Sequence, residues 1–94
     1  MVIQKIARQF YISGDVQGVG YRFFAQRAAA RHQVLGYVKN LDDGRVEIFA
    51  EGPAHHVEAF KHELQTGPRF GFVENIEEIN ADPTNTFSLF RIEH

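Results

Sequence analysis

An α+β fold, one sheet backed on a single face by two helices in the order βαββαβ, is predicted by three features of the sequence. Short stretches of alternating apolar and polar residues mark strands. Two longer stretches carry apolar residues at helical spacing. Glycine, proline and Asp-Gly steps separate these segments. The 94 residues suffice for one compact domain and not for two, so residues 1–94 are expected to form a single domain. Hydrophobic residues make up 44% and charged residues 23%, a balance that favours a packed core over disorder. Nine phenylalanines supply much of that core, because each ring buries a large apolar area.

Arg8 to Ser13 alternates around Phe10 and Ile12 and reads as the first strand. A glycine-rich loop follows. Tyr21 to about His32 reads as a helix rich in Ala, Gln and Arg, with Tyr21, Phe24, Ala25 and Ala28 on one stripe. Leu35 to Leu41 is the second strand, and "DDGR" is a turn with Gly44 suited to a positive φ. Arg45 to Glu51 is the third strand. It sets Val46, Ile48 and Ala50 on one face and Arg45, Glu47 and Glu51 on the other, with Phe49 the exception. A second helix is expected from Gly52-Pro53, since proline suits a first helical turn. Val57, Phe60 and Leu64 form its buried stripe, and Gly67-Pro68 ends it. Phe72 to about Ile79 is a fourth strand, "ADPTN" a loop, and Phe87 to Ile92 a short last strand. An antiparallel sheet with both helices on one face is the ferredoxin-like arrangement. That fold hosts many functions and decides none of them.

Composition removes several function classes. There is no cysteine, which excludes disulfides, thiolate metal sites and cysteine nucleophiles. No stretch approaches the roughly 20 apolar residues of a membrane span, and the N-terminus lacks a long apolar signal region. A cytoplasmic protein without a membrane partner is expected. The formal net charge of -2 argues against nucleic acid, whose phosphates demand a basic excess. "RFGFV" at Arg69 to Val73 is close to an RNA-recognition strand motif. It lacks the glycine after the arginine and follows the second helix instead of preceding it. His55, His56 and His62 suggest a metal cluster, but His55 and His62 lie two helical turns and about 10 Å apart along the axis. A solvated face is the expectation there, with no metal. Asp42 and Asp43 are read as turn residues facing solvent.

The chemistry concentrates in "GDVQGVGYR", Gly14 to Arg22. A glycine-rich turn feeding a helix N-terminus presents several backbone N–H groups to an anion, and the helix dipole adds positive potential. Arg22 falls in the first helical turn, where its guanidinium can clamp a phosphate with two parallel hydrogen bonds. The spacing of Gly14, Gly18 and Gly20 is not that of a dinucleotide-binding fingerprint, and the Gly-Lys-Ser/Thr of a nucleotide P-loop is missing. By itself the loop reads equally as an anion nest or as a turn whose glycines only relieve strain. Asn40 closes the second strand, where an asparagine can cap the turn that follows.

A second segment, "GYVKNLDDGRVEIFAEG" from Gly36 to Gly52, joins the first in a pattern. Gly14, Val16, Gln17, Gly18, Val19, Tyr21 and Arg22, followed by Gly36, Tyr37, Val38, Asn40, Gly44, Val46 and Gly52, closely resemble the two motifs of the acylphosphatase family. Gly67-Pro68 and the closing Phe90 and Ile92 extend the resemblance along the whole chain. The resemblance implies a ferredoxin-like enzyme that hydrolyses the carboxyl-phosphate bond of acyl phosphates to a carboxylate and inorganic phosphate. It implies neither metal nor other cofactor, and no phosphoenzyme. By position, the amides of Asp15, Val16, Gln17, Gly18, Val19 and Gly20 together with Arg22 would hold the phosphoryl group, and Asn40 would position the attacking water. The residues fit that chemistry, since an acyl phosphate has a good leaving group and needs chiefly a placed water and stabilised charge. A monomer is expected. The alternative on the same fold is a non-catalytic module that binds a phosphoanion or RNA.

The chain departs from the family pattern in two places. It closes with Glu93-His94, where a basic or aromatic end is common. Phe70 stands where a small polar residue is usual, which is read as a packing change rather than a new site. Asp15 puts a negative charge beside the anion loop, pointing either outward or toward the phosphate to moderate its affinity.

Overall fold

Alternation within the strands decides which face of the sheet the helices cover. In the structure, a computed structural model that describes residues 4–94, the elements are β1 (Lys5–Asp15), α1 (Tyr21–His32), β2 (Leu35–Asn40), β3 (Val46–Pro53), α2 (Ala54–Thr66), β4 (Phe72–Ala81) and β5 (Phe90–Glu93). The strand order is β4-β1-β3-β2-β5. β1 pairs antiparallel with β3 and β4, and β3 antiparallel with β2. β5 joins β2 in parallel, so the sheet is mixed where a wholly antiparallel one was expected. The connections explain this. β4 and β5 occupy opposite edges, so the segment between them recrosses the sheet and delivers β5 in the direction of β2. α1 links β1 to β2 with β3 between them, and α2 links β3 to β4 with β1 between them. These interleaved units make the ferredoxin-like fold.

On the helical face Phe10 lies opposite Ile48, Ile12 opposite Val46, and Val38 opposite Ile48. They are fully buried beneath Tyr21, Ala25 and Ala28 of α1 and Val57, Phe60 and Leu64 of α2, the stripes predicted by spacing save for Phe24, which is only partly buried. The Phe60 ring meets Phe90 edge-on at 5.6 Å, and burying a side chain of this size stabilises the fold by about 2–3 kcal/mol. The Tyr21 hydroxyl donates to the Leu64 carbonyl at 2.9 Å, tying the start of α1 to the end of α2. Burial pushes that phenol well above its ordinary pKa.

The other face differs from its sequence pattern. Phe49 and Glu51 of β3 point there, and both are buried, Glu51 completely. The segment 82–89 covers them. Phe87 packs its ring 5.7 Å from Phe49 and 6.1 Å from Tyr37. The Glu51 carboxylate accepts the Thr84 backbone N–H at 2.7 Å and the Thr84 hydroxyl at 3.3 Å. Phe87, expected to open the last strand, therefore serves as a lid on the sheet, and strand pairing starts only at Phe90.

Candidate active site

The site begins where β1 leaves its regular pairing. The register between β1 and β4 shifts between Ser13 and Gly14. At Gly14 φ is 129°, and a Cβ would sit 2.2 Å from the Phe72 carbonyl oxygen, so only glycine lets the two backbones meet there. Pairing continues to Asp15 opposite Phe72. Asp15 thus ends the strand with its side chain exposed, and the loop proper is Val16 to Gly20.

That loop is fixed from three sides. Val16 is buried and Val19 packs against the core. The Gln17 amide donates to the Leu41 carbonyl at 2.8 Å and to the Arg45 carbonyl at 2.9 Å, bracing the loop against the β2–β3 turn. In that turn the Asp43 carboxylate accepts the Arg45 backbone N–H at 3.0 Å and the Arg45 Nε–H at 2.8 Å, and these bonds hold it below the usual carboxylate range. Gly20 is the N-cap of α1 in a left-handed conformation, φ 79°, which a residue with a Cβ rarely adopts. No side chain caps this helix, and its first turn holds no acidic residue. The first-turn amides are left without side-chain partners at the positive end of the helix dipole.

A recess of about 230 Å³ opens at this point, lined by Val16, Gly18, Gly20, Tyr21, Arg22, Phe23 and Asn40. The loop, the arginine at the start of α1 and the asparagine at the end of β2 therefore share one cavity. The Gln17 brace contributes to the meeting, because Leu41, which it holds, directly follows Asn40. The Asn40 Oδ1 atom is buried and has no hydrogen-bond partner. Buried amide oxygens are nearly always bonded, so this orphan stands out on a residue that lines the recess. Arg22 Nη1 donates to the Glu93 carbonyl at 3.4 Å and approaches His94 Nδ1 at 3.3 Å. A guanidinium has no acceptor, so Nδ1 takes that bond with its lone pair. The unusual chain end thus touches the arginine of the site.

Of the residues singled out by sequence, Val16, Gly18, Gly20, Arg22 and Asn40 line the recess, whereas Asp15, Gln17 and Val19 do not. Sequence reasoning missed Phe23, whose ring is 65% exposed on the rim, and the bracing role of the Gln17 side chain. Phe23 could have been found as the aromatic lying off the buried stripe of α1. Phe70 does not pack, contrary to expectation. It is 78% exposed, with the Arg69 guanidinium 5.5 Å from its ring centre. The "RFGFV" stretch runs from a turn into β4 at the edge of the sheet. Among the described residues no three His, Asp or Glu side chains converge to hold a metal ion, and no helix is long and apolar enough to cross a membrane.

Comparison with known proteins bears on the chain and its fold as a whole. The family model "Acylphosphatase" matches residues 8–92. An acylphosphatase of Solibacter usitatus is 50% identical over 86 residues, covering 92% of this chain and 88% of that relative. One of Bacillus velezensis is 51% identical, covering 81% of this chain and 88% of the relative. The crystal structure of acylphosphatase from Bacillus subtilis superposes with a TM-score of 0.91 at 36% identity, covering 95% of this chain and 99% of that one. With the family model spanning nearly all of the sequence and the fold shared, the chain belongs to the acylphosphatase family and is an enzyme that hydrolyses acyl phosphates.

Proposed function

We propose that the recess between Gly18, Arg22 and Asn40 is the catalytic site, that the backbone amides of the loop residues lining it, Val16, Gly18 and Gly20, and the Arg22 guanidinium hold the phosphoryl group, and that Asn40 places the water. The observation that carries this reading is the recess itself, in which Asn40 and Arg22 meet beside the uncapped start of α1. The Asn40 amide orients the water by hydrogen bonding and leaves a lone pair of the water free for phosphorus. Water oxygen bonds to phosphorus while the bond from phosphorus to the acyl oxygen breaks, and its electrons leave on the carboxylate. The proton lost by water passes to a phosphoryl oxygen of the substrate, so no protein base is required. Charge on the equatorial oxygens is met by the loop amides and Arg22, preorganised groups of the kind that stabilise a transition state most effectively. On this reading the reaction needs no metal and forms no phosphoenzyme, and the chain acts as one cytoplasmic, monomeric domain on small acyl phosphates without nucleic-acid or membrane partners.

Hydrolysis of benzoyl phosphate in heavy-oxygen water tests this mechanism. The label is expected in inorganic phosphate, not in benzoate, with the rate unchanged by EDTA and with phosphate inhibiting competitively. Label in benzoate, or a rate abolished by EDTA, would overturn it.

A further inference from the structure

A second cleft adjoins the phosphate recess. It measures about 460 Å³, within the common size range of small-molecule sites, and Gly20 and Phe23 line both spaces. Its remaining walls include Arg27, Arg31, Pro68 and Arg69. We infer that this cleft receives the acyl group and that Arg27 and Arg69 select acyl phosphates whose acyl chain carries a second negative charge, a reading that rests on the phosphoryl group occupying the adjoining recess.

The charges argue for it. The protein carries a net charge of -2, yet three arginines surround this one cleft. Arg31 is offset by Glu63, which also pairs with His32 at 2.9 Å. Among the described residues Arg27 and Arg69 pair with no carboxylate. Both are exposed, so each guanidinium is free to meet a ligand. Helical geometry places Arg27 one turn beyond Phe23, about 6 Å along α1, on the same side and away from the phosphate loop. A substrate whose phosphoryl group sits at the helix start would pass its carbon chain along the Phe23 ring and present a terminal carboxylate or phosphate to Arg27 and Arg69. A larger recess of about 550 Å³ borders Arg27 on its other side, but it shares no residue with the phosphate recess and cannot continue it.

Succinyl phosphate and butyryl phosphate match in length and differ in the terminal carboxylate, so their kcat/KM ratio isolates the charge. The native enzyme is expected to prefer succinyl phosphate, and added salt should shrink the preference as exposed charges are screened. In the double variant Arg27→Gln, Arg69→Gln the ratio should fall about fivefold to tenfold, as expected when two exposed ion pairs with the substrate are removed together. Arg91→Gln controls for bulk charge. That residue lies over Phe87 on the opposite face and should leave the ratio as it was. Equal kcat/KM for the two substrates in the native enzyme, a preference that survives the double substitution, or an equal fall in Arg91→Gln would overturn the assignment. Failure of inorganic phosphate to compete with butyryl phosphate would overturn the placement of the phosphoryl group itself, and the subsite with it.

Discussion

Asn40 and Arg22 share a cavity, but their surroundings give them different tasks. Arg22 is already held by the Glu93 carbonyl and faces His94, so its guanidinium is oriented before a substrate arrives. Asn40 has a buried oxygen that bonds to nothing in the protein. Replacing Asn40 with alanine therefore removes no bond made by that oxygen, and thermal stability should stay near that of the native protein. Turnover should fall by about a hundredfold or more, as expected when a reactant loses its position. Phosphate affinity measured by calorimetry should persist. Arg22→Ala should lose phosphate binding and turnover together, because the cation is proposed to grip the phosphoryl group in ground and transition states alike. A folded Asn40→Ala enzyme with near-native turnover would remove the water-placing role. A folded Arg22→Ala protein that binds phosphate tightly would take Arg22 out of the site. That both residues would meet in one recess was anticipated differently for each: Arg22 from a local feature, a glycine turn before a helix, and Asn40 from the family resemblance of the second segment. Phe23 was missed: helical spacing marks it as an outward aromatic, but does not say that it borders a cavity.

The elements were legible for a similar reason, and their tertiary cover was not. Alternation in β3 correctly put Val46, Ile48 and Ala50 under the helices. It also put Glu51 on the far face, but nothing local in the sequence announces that segment 82–89 will recross the sheet over that carboxylate. Glu51 is 0% exposed and binds the Thr84 N–H and hydroxyl, with the Asn85 N–H at 3.5 Å. It fastens the segment that delivers β5, whose Phe90 packs on Phe60 and whose Glu93 carbonyl receives Arg22. Glu51→Ala should cost about 2 kcal/mol in urea unfolding, the loss of hydrogen bonds to a charged acceptor, and Glu51→Gln about half of that because one amide oxygen still accepts. If the alanine variant matched native stability, Thr84 would be resting on the sheet without being held by it. Phe70 illustrates the same limit of local reading. Its place in the α2–β4 connection can be read from Gly67-Pro68, whereas its outward orientation depends on the path of the turn.

At the scale of the molecule, the three tyrosines couple stability to alkaline pH. All are shifted upward. Desolvation leads at Tyr11, aided by the Glu47 charge. Burial alone acts at Tyr21. At Tyr37 burial leads, a hydrogen bond from Gln9 opposes it and one to Glu47 adds to it, leaving the phenol at about 12. An unfolded tyrosine releases its proton near pH 10. Between that pH and about 12, the unfolded chain has lost a proton that folded Tyr37 retains, so raising the pH favours unfolding. The contribution is complete below pH 10 and disappears as pH rises through the folded value. Stability measured in urea from neutral pH to about pH 11 should accordingly hold level and then decline, while Tyr37 is still largely protonated in the native state. Tyr37→Phe should shallow the decline without abolishing it, since Tyr21 keeps its hydroxyl on the Leu64 carbonyl. Tyr21→Phe should shallow it too, and should also lower stability at neutral pH by about 1 kcal/mol through that lost bond. Tyr21 lines the recess of Arg22 and Asn40 as well as joining the helices, so the alkaline loss of fold and of turnover should coincide. Turnover that vanished well before unfolding would mean that a group in the recess titrates ahead of the tyrosines, and the joint between α1 and α2 would not be what limits the enzyme at high pH.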